Sequence, residues 1–206
     1  MRALITGISG FVGSHLAERL LASGGWTVSG TVYGDAGNIA HLTDRLTLYE
    51  GELSRLERVR EIVEDSRPDA IFHLAAQPVV SVSRRDPWGT LENNIRLQLN
   101  VLEAVAQVAP QAAVLVIGSS EEYGHVLPAD LPLAEDAPLR PTSPYAVSKI
   151  AQDYLGLQYH LSHGVRAIRM RPFNHIGPRQ RRGFVAPDFA SQVAEIEAGL
   201  RPPVLL

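Results

Sequence analysis

The feature that most constrains the fold is a regular alternation of short apolar runs with longer amphipathic stretches along the chain. The short runs predict strands, and the stretches with apolar residues at three- and four-residue spacing predict helices. This order predicts an α/β protein, a doubly wound parallel sheet with helices on both faces. The six predicted strands are Arg2–Thr6, Thr27–Val32, Leu46–Glu50, Ala70–Leu74, Ala113–Gly118 and Arg166–Arg171.

Four helices are predicted between these strands. Phe11–Leu21, whose apolar stripe begins at Val12, and Leu53–Glu64 are each expected to lie against the sheet. Two longer helices, Pro87–Val108 and Pro144–His163, are apolar around more of their circumference than one sheet contact requires. We therefore expect them to pack against a second copy of the chain as well, which gives a homodimer.

Composition and charge exclude several classes of protein. The chain has 206 residues, of which 45% are hydrophobic and 20% charged, enough for one sizeable core. Its net charge of -3 and its mixed charge distribution predict no nucleic-acid partner and no membrane partner. Without cysteine, disulfides and thiolate chemistry are excluded, and a cytoplasmic location is expected. The first residues lack the apolar centre of a signal peptide, and no run is long enough to cross a membrane.

The first strand runs directly into a glycine-rich turn, TGISGFVG at residues 6–13, that opens a helix. Gly7, Gly10 and Gly13 would let the backbone approach a pyrophosphate, which the N–H groups at Phe11 and Val12 would hold. These five residues are therefore predicted to bind a dinucleotide. Their spacing differs from the G-x-G-x-x-G fingerprint, and a turn shaped only for strand-to-helix packing is the alternative.

A second signal is the pair Tyr145 and Lys149, which lie four residues apart at the start of a predicted helix and so share one face. A free tyrosine has a pKa near 10, but a nearby ammonium favours the phenolate and is expected to lower the pKa of Tyr145. The pair suits general acid–base chemistry. In isolation the same spacing is a common surface coincidence.

A third candidate, Ser119, follows the fifth strand in the segment GSSEEYG at residues 118–124. In a doubly wound sheet this position lies at the same carboxyl edge as the glycine-rich turn. A hydroxyl there can hydrogen-bond a carbonyl oxygen while Tyr145 exchanges the proton. Ser119, Tyr145 and Lys149 are therefore predicted to be the catalytic groups, and a turn serine without chemistry is the alternative for Ser119 alone.

With these motifs, the chain resembles the extended short-chain dehydrogenase/reductase family of nucleotide-sugar enzymes, which implies a Rossmann-like fold. Similar segments run along almost the whole chain and include GEL at 51–53, HLAAQ at 73–77 and RPFN at 171–174. In that family these segments contact adenine, line the dinucleotide, and close on nicotinamide and sugar. The resemblance implies further cofactor-binding residues: Glu52, Leu53, Leu74, Ala75, Ala76, Asn94 and Pro172.

Within that family, the segments GSSEEYG, LRPTSPY at 139–145 and FNHIGP at 173–178 resemble those of GDP-4-keto-6-deoxy-D-mannose reductases. The resemblance implies hydride delivery from NADPH or NADH to C4 of a GDP-4-keto-6-deoxyhexose, giving GDP-D-rhamnose. Tyr145 would protonate the oxyanion, Ser119 would hold it, and Lys149 would bind the nicotinamide ribose. The expected substrate-binding residues are Ser119, Glu121, Asn174 and Arg181.

Two of these residues have other interpretations. Similar GDP-mannose 4,6-dehydratases carry a glutamate at the place of Glu121, where it handles the C5 and C6 protons, so Glu121 is a further catalytic candidate. A dehydratase or epimerase of the same family is therefore the alternative reaction. The other interpretation of Glu121, favoured by the resemblance of FNHIGP to the reductases, is a polar turn residue in a reductase loop. Arg181 belongs to a basic loop that would grip a diphosphate or stay solvated.

The cofactor preference depends on the end of the second strand. The segment GTVYGD at residues 30–35 carries no arginine and an acid later than usual, and Gly30, taken as the strand end, favours NADP(H) slightly. Use of both NAD and NADP is equally defensible. No metal is expected, because the seven histidines lie apart or lack neighbouring carboxylates.

The predicted domains are a dinucleotide-binding domain with the catalytic residues at 1–180 and the start of a shortened substrate-binding domain at 181–206. Residues 201–206 resemble the strand that opens the family's substrate domain, and family members continue further. The chain is therefore expected to be a fragment or a shortened natural form. This leaves a non-catalytic dinucleotide-binding fragment as a second alternative.

Overall fold

The structure is a computed structural model that describes residues 1–204. Its strands are β1 (Arg2–Thr6), β2 (Thr27–Val32), β3 (Leu46–Glu50), β4 (Ala70–His73), β5 (Ala113–Ile117) and β6 (Arg166–Met170). They form one sheet in the order β3-β2-β1-β4-β5-β6, and every pair of neighbours is parallel. This is the doubly wound order that the alternating pattern predicts, and the predicted strands are confirmed to within a residue.

The helices connect and follow these strands. They are α1 (Phe11–Ser23), α2 (Leu56–Ser66), α3 (Val80–Arg85), α4 (Pro87–Val108), α5 (Pro144–His163) and α6 (Val185–Glu197). Short 3-10 segments span Gly37–Arg45, Ser120–Glu122 and Pro128–Asp130.

The two faces of the sheet carry separate apolar cores, because successive strand residues point to opposite faces. Leu4 belongs to the core that α2, α4 and α5 cover, whereas the adjacent Ile5 belongs to the core of α1 and the 3-10 segment Gly37–Arg45. Helices therefore lie on both faces, which confirms the predicted fold class. The carboxyl ends of the parallel strands meet at one edge, where the loops that carry the candidate residues gather.

Three details of the predicted helices are wrong. Val12 is exposed rather than packed on the sheet, because α1 turns its small residues Gly13, Ser14 and Ala17 inward. Leu53 is buried, but it lies before α2 begins. Neither α3 nor α6 was predicted.

The chain divides into two compact units, Met1–Phe173 and a second that begins at Asn174. This boundary lies upstream of the predicted one after residue 180. Over residues 201–204 the chain forms bends and irregular structure rather than the expected strand, whose last two residues, Leu205 and Leu206, lie outside the described residues. Among the described helices, none has the length and apolar character to cross a membrane.

Candidate active site

The strand order reverses between β1 and β4, and the loops that leave these two strands are in contact. Gly7 follows β1 with a φ of 70°, and a Cβ on it would lie 3.2 Å from the Cα and N atoms of Ala75, which follows β4. Only glycine adopts this conformation readily and allows this approach. In doubly wound sheets, the crevice at such a reversal is where ligands bind.

Residues 7–13, here called the glycine turn, leave the start of α1 open. Gly10 is the N-cap residue and brings no side-chain cap, Gly10 and Val12 are exposed, and the first helical turn carries no acidic residue. A Cβ on Gly13 would collide with the carbonyl oxygen of Gly7. The bare, positive end of a helix dipole beside closely packed backbone fits a dinucleotide pyrophosphate. The five predicted residues, Gly7, Gly10, Phe11, Val12 and Gly13, lie together here.

Thr6 joins the ends of β1 and β4 through its hydroxyl. Its Oγ1 accepts the N–H groups of Leu74 and Ala75, both at 3.1 Å, and lies 2.8 Å from Nδ1 of His73. Because two backbone groups already donate to Oγ1, the hydroxyl proton goes to Nδ1, which assigns the ring proton of His73 to Nε2. Burial, assisted by the charge of Lys149, lowers the pKa of His73 to about 3, so the ring is neutral. Thr6 was not among the residues predicted from the sequence.

The loop after β4 carries Leu74, Ala75 and Ala76, all half-buried beside the glycine turn. Asn94 of α4 fixes this loop from behind. Its Oδ1 accepts the N–H of Gln77 at 2.7 Å, and its Nδ2 donates to the carbonyl of Gln77 at 3.1 Å and to Oγ of Ser148 at 2.9 Å. Asn94 is fully buried and its amide is occupied by these bonds, so it holds this loop in place.

The remaining cofactor candidates lie at opposite ends of the sheet edge. Glu52 is exposed after β3, and the adjacent Leu53 is buried, with its carbonyl accepting Nδ2 of Asn100 at 2.8 Å. Pro172 follows β6, where its carbonyl accepts the N–H of Ser120 at 3.0 Å. Pro172 therefore fixes the turn that carries Ser119.

The cofactor preference taken from Gly30 has no structural basis. Gly30 lies inside β2 rather than at its end, and a Cβ on it would lie 2.5 Å from Cβ of Ile8. It is small because α1 and its turn pack against it. The acid that follows, Asp35, accepts the N–H of Gly37 at 2.9 Å through Oδ1.

Residues 118–122, here called the serine turn, follow β5. The Oγ of Ser119 accepts the N–H of Glu121 at 3.2 Å, and the carboxylate of Glu122 accepts the N–H of Ser119 at 2.8 Å. This reciprocal arrangement is a capping box. It fixes the backbone of Ser119 on both sides at the carboxyl edge of the sheet.

The helix α5 brings Tyr145 and Lys149 to this turn. Ser143 caps its first turn, and one residue after Pro144 the buried Tyr145 lies close enough to the side chain of Ser119 for that hydroxyl to lower the Tyr145 pKa against the effect of burial. Lys149 lies one helical turn later, also buried, with Nζ 5.9 Å from the centre of the Tyr145 ring and donating to the carbonyl of Ile117 at 2.9 Å. The three predicted catalytic residues are thus brought together.

The ionisation of these groups differs from the expectation. Burial raises the pKa of Tyr145 above its ordinary value, and the carboxylates of Glu121 and Glu122 raise it further. The expectation that Lys149 lowers this pKa is therefore wrong for this arrangement. Burial lowers the pKa of Lys149 to about 8, with Glu122 opposing the shift. In this arrangement Tyr145 is therefore protonated at neutral pH and is a weaker acid than a free tyrosine.

Two predicted substrate residues belong to the second unit. Asn174 begins it, and Arg181 lies exposed in the loop before α6. Their neighbour Arg182 is paired with Glu195 of α6, with Nη2 2.6 Å from Oε1. Within the described residues, no group of three or more His, Cys, Asp or Glu side chains could hold a metal ion.

Comparison with known proteins places these features in one group of enzymes. The family model described as GDP-mannose 4,6 dehydratase matches residues 4–206. GDP-6-deoxy-D-mannose reductase from Pseudomonas aeruginosa is 37% identical over 202 residues, which cover 97% of this chain and 60% of the reductase. The chain therefore spans less than two thirds of the length of this relative.

Solved structures similar to this chain also include dinucleotide complexes of such enzymes. The structure of RMD from Pseudomonas aeruginosa complexed with NADPH is similar with a TM-score of 0.82 and 35% identity, over 97% of this chain and 62% of that one. The UDP-glucose 4-epimerase of Thermus thermophilus in complex with NAD is similar with a TM-score of 0.86 and 32% identity, over 98% and 64% of the two chains.

Proposed function

Because the chain belongs to the GDP-mannose 4,6-dehydratase family, we propose that it is a dinucleotide-dependent oxidoreductase of nucleotide-activated sugars. The observation that carries this proposal is the meeting of Ser119, Tyr145 and Lys149 at the carboxyl edge of the sheet. Besides burial, the charge of Lys149 lowers the pKa of His73. His73 in turn shares a hydrogen bond with Thr6, the residue directly before the glycine turn. A ligand held at that turn would therefore extend toward the catalytic groups.

The reaction we propose is reduction of the 4-keto group of a GDP-4-keto-6-deoxyhexose to give GDP-D-rhamnose. NADPH or NADH, bound along the glycine turn, would supply the hydride. Tyr145, which is buried at the start of α5 and protonated at neutral pH, would donate its proton to the sugar O4. The Ser119 hydroxyl would hydrogen-bond the same oxygen, and the Lys149 ammonium would bind the nicotinamide ribose.

A dehydratase or epimerase reaction is the second candidate, supported by the position of Glu121. Besides burial, its carboxylate raises the pKa of Tyr145, and it lies on the same turn as Ser119. A base in that place would serve proton removal from the sugar. An enzyme of this kind would retain oxidised dinucleotide and consume none.

The partners we propose are a GDP-sugar and a second copy of the chain. Asn174 and Arg181 are the candidates for the sugar and the diphosphate. The outer face of α5 exposes Val147, Tyr154 and Leu161 at seven-residue intervals, which supports a homodimer through its long helices. We also propose a cytoplasmic location, because the chain contains no cysteine.

The test is consumption of NADPH or NADH with GDP-4-keto-6-deoxy-D-mannose as substrate. Tyr145→Phe is the critical variant, and Tyr154→Phe, in the same helix but exposed, is its matched control. Oxidation that Tyr145→Phe abolishes and Tyr154→Phe leaves intact supports the reductase. Dinucleotide binding with no turnover of this keto sugar or of GDP-mannose would favour a non-catalytic dinucleotide-binding fragment instead.

A further inference from the structure

The serine turn covers a carboxylate that has no exposed surface. Glu122 is 0% exposed, and its Oε1 accepts the N–H of Ser119 at 2.8 Å. A Cβ on Gly118 would collide with that oxygen, so glycine at this position makes room for the carboxylate. A charged group this deeply buried needs a partner of opposite charge.

Arg171, directly after β6, is that partner. Its Nε lies 3.0 Å from Oε2 of Glu122, and its Nε and Nη2 lie 3.1 and 2.5 Å from Oδ2 of Asp153. Its Nη1 donates to the carbonyl of Glu135 at 2.8 Å. One guanidinium thus connects the serine turn, the end of β6, the loop at Glu135 and the helix α5.

The connection to α5 reaches the catalytic residues. Asp153 is 2% exposed and lies four residues after Lys149, so both project from the same side of the helix. A continuous path of polar contacts therefore runs from the backbone of Ser119 through Glu122, Arg171 and Asp153 to the helix that carries Tyr145 and Lys149. If Glu122 were protonated, its attraction to Arg171 would weaken, and Arg171 would be bound mainly to Asp153.

We propose that Glu122 is a positioning residue for the reaction: its carboxylate fixes Ser119 and, through Arg171 and Asp153, sets the distance between Ser119 and the Tyr145 helix. This inference rests on the proposed function. Glu122 touches neither the keto sugar nor the dinucleotide, since it is enclosed beneath the turn. It differs in this from Glu121, which is half-buried on the same turn.

The electrostatic surroundings give this contact a dependence on pH. Burial raises the pKa of Glu122 to about 7, with Asp153 adding to the rise and the Ser119 N–H, Arg171 and Lys149 opposing it. As the pH rises through neutral, Glu122 would lose its proton, and its carboxylate would then bind the Ser119 N–H more strongly. The charged and titratable groups around Glu122 are Asp153, Lys149 and Tyr145 from α5, Arg171 after β6, Arg169 through its ion pair with Asp153, and Glu121 in the serine turn.

The first experiment follows the backbone amide of Ser119 by NMR as pH is raised, without substrate. In the wild-type chain, the Ser119 amide proton is expected to move downfield with a midpoint near the Glu122 pKa of about 7, because a charged acceptor binds the proton more strongly. Glu122→Gln is expected to abolish this titration. Glu103→Gln, which removes the carboxylate bonded to Tyr159 in the α4–α5 contact, is expected to keep it.

The second experiment measures kcat and KM for keto-sugar reduction in the same variants. Glu122→Gln is expected to lower kcat by about 10- to 100-fold with little change in the KM for dinucleotide, as a small misplacement of a catalytic group does. Glu122→Asp is expected to recover part of the loss, and Glu103→Gln to retain the wild-type kcat.

A Ser119 amide that does not titrate, or that titrates equally in Glu122→Gln, overturns the proposal, as does a Glu122→Gln enzyme with the wild-type kcat. If Glu122→Gln does not fold, the titration of the wild-type chain decides. If the wild-type chain reduces no nucleotide sugar, the proposed function fails, while the Ser119 amide still reports whether Glu122 holds the turn.

Discussion

The glycine turn and the serine turn lie at the same edge of the sheet, but different kinds of interaction hold them in place. At the glycine turn, three glycines remove side chains so that backbone packs on backbone, and no ionisable group takes part. At the serine turn, a fully buried carboxylate is held by a guanidinium. The first region is shaped by steric fit, and the second by charge.

This difference matches the proposed roles of the two turns, with the glycine turn binding the dinucleotide and the serine turn carrying the catalytic serine. Backbone N–H groups and a helix dipole suit a pyrophosphate whose charge is constant. A carbonyl that gains a proton needs groups whose charge and position are fixed in advance, and buried ions supply this at a cost in stability. The catalytic region should therefore respond to pH and to loss of charge, whereas the glycine turn should respond to volume.

The largest expected effect is from Ser119→Ala. Removing the hydroxyl would delete the proposed bond to the sugar oxygen, so kcat should fall by about 100- to 1000-fold, while dinucleotide affinity should stay unchanged because the glycine turn is intact. Ser120→Ala, which leaves the backbone bond to Pro172, is the control. Steady-state kinetics and dinucleotide titration check this. An equal loss in both variants would mean that the turn, not the hydroxyl, matters.

Next in size is the stability difference between Glu122→Gln and the wild type as a function of pH. The pKa of Glu122 is about 7 in the folded chain against an ordinary 4.5. Below about pH 4 both states are protonated, but as pH rises toward 7 the unfolded chain releases its proton first, so the wild type loses stability that the variant keeps. The variant should gain on the order of 3 kcal/mol relative to the wild type over this span.

Denaturant unfolding between acid and neutral pH measures this difference. Glu103→Gln is expected to lose stability relative to the wild type as the pH rises, which is the opposite sign. The Tyr159 hydroxyl lowers the pKa of Glu103, so the charged carboxylate stabilises the folded chain. If the difference in unfolding free energy between Glu122→Gln and the wild type did not change with pH, the charge of Glu122 would not be unfavourable in the folded chain. A variant that is both more stable and slower would mark Glu122 as a group kept for function.

Gly13→Ala tests the glycine turn. The new Cβ would collide with the carbonyl oxygen of Gly7, and overpacking of this kind should lower the free energy of unfolding by about 2 to 3 kcal/mol and weaken dinucleotide binding. Gly37→Ala, whose Cβ would meet only the flexible carboxylate of Asp35 at 3.3 Å, is the stability control. Thermal unfolding of the two variants suffices, and equal midpoints would mean that the turn yields more easily than its geometry implies.

The smallest expected effect is from Thr6→Val, at the junction of β1 and β4. The variant leaves the Ala75 N–H and the His73 ring without their partner, whereas the Leu74 N–H keeps the Thr6 carbonyl at 3.3 Å; this should cost about 1 to 2 kcal/mol of unfolding free energy. Thr6→Ser keeps the hydroxyl and should cost less. If both variants were equally unstable, the methyl group rather than the hydrogen bonds would hold the junction.

Much of the fold was predictable because its signals are local. The strands follow from apolar runs, and Ser119, Tyr145 and Lys149 follow from short motifs that the sheet topology brings together. The helix α3 was missed because its sequence, VSVSRR, alternates as a strand would. The apolar spacing of α6, with Val185, Phe189 and Val193, did carry a helical signal.

The electrostatics of the site could not be predicted in the same way. The spacing of Ser119 and Glu122 is that of a capping box, a signal that was available. The burial of the Glu122 carboxylate, however, depends on Arg171, almost fifty residues later and directly after the neighbouring strand β6. Similarly, the direction of the Tyr145 pKa shift depends on how deeply the phenol is enclosed, which no local pattern reports.

The central claim is that the glycine turn and the serine turn form one site for a single dinucleotide and its keto-sugar substrate. A crystal structure with NADPH and GDP tests it most directly. The account predicts the pyrophosphate on the backbone N–H groups of the glycine turn and the nicotinamide beside Tyr145 and Lys149. Dinucleotide bound elsewhere would contradict it, for instance in the cleft of about 480 Å³ at the opposite edge of the sheet, near Arg2 and Arg166.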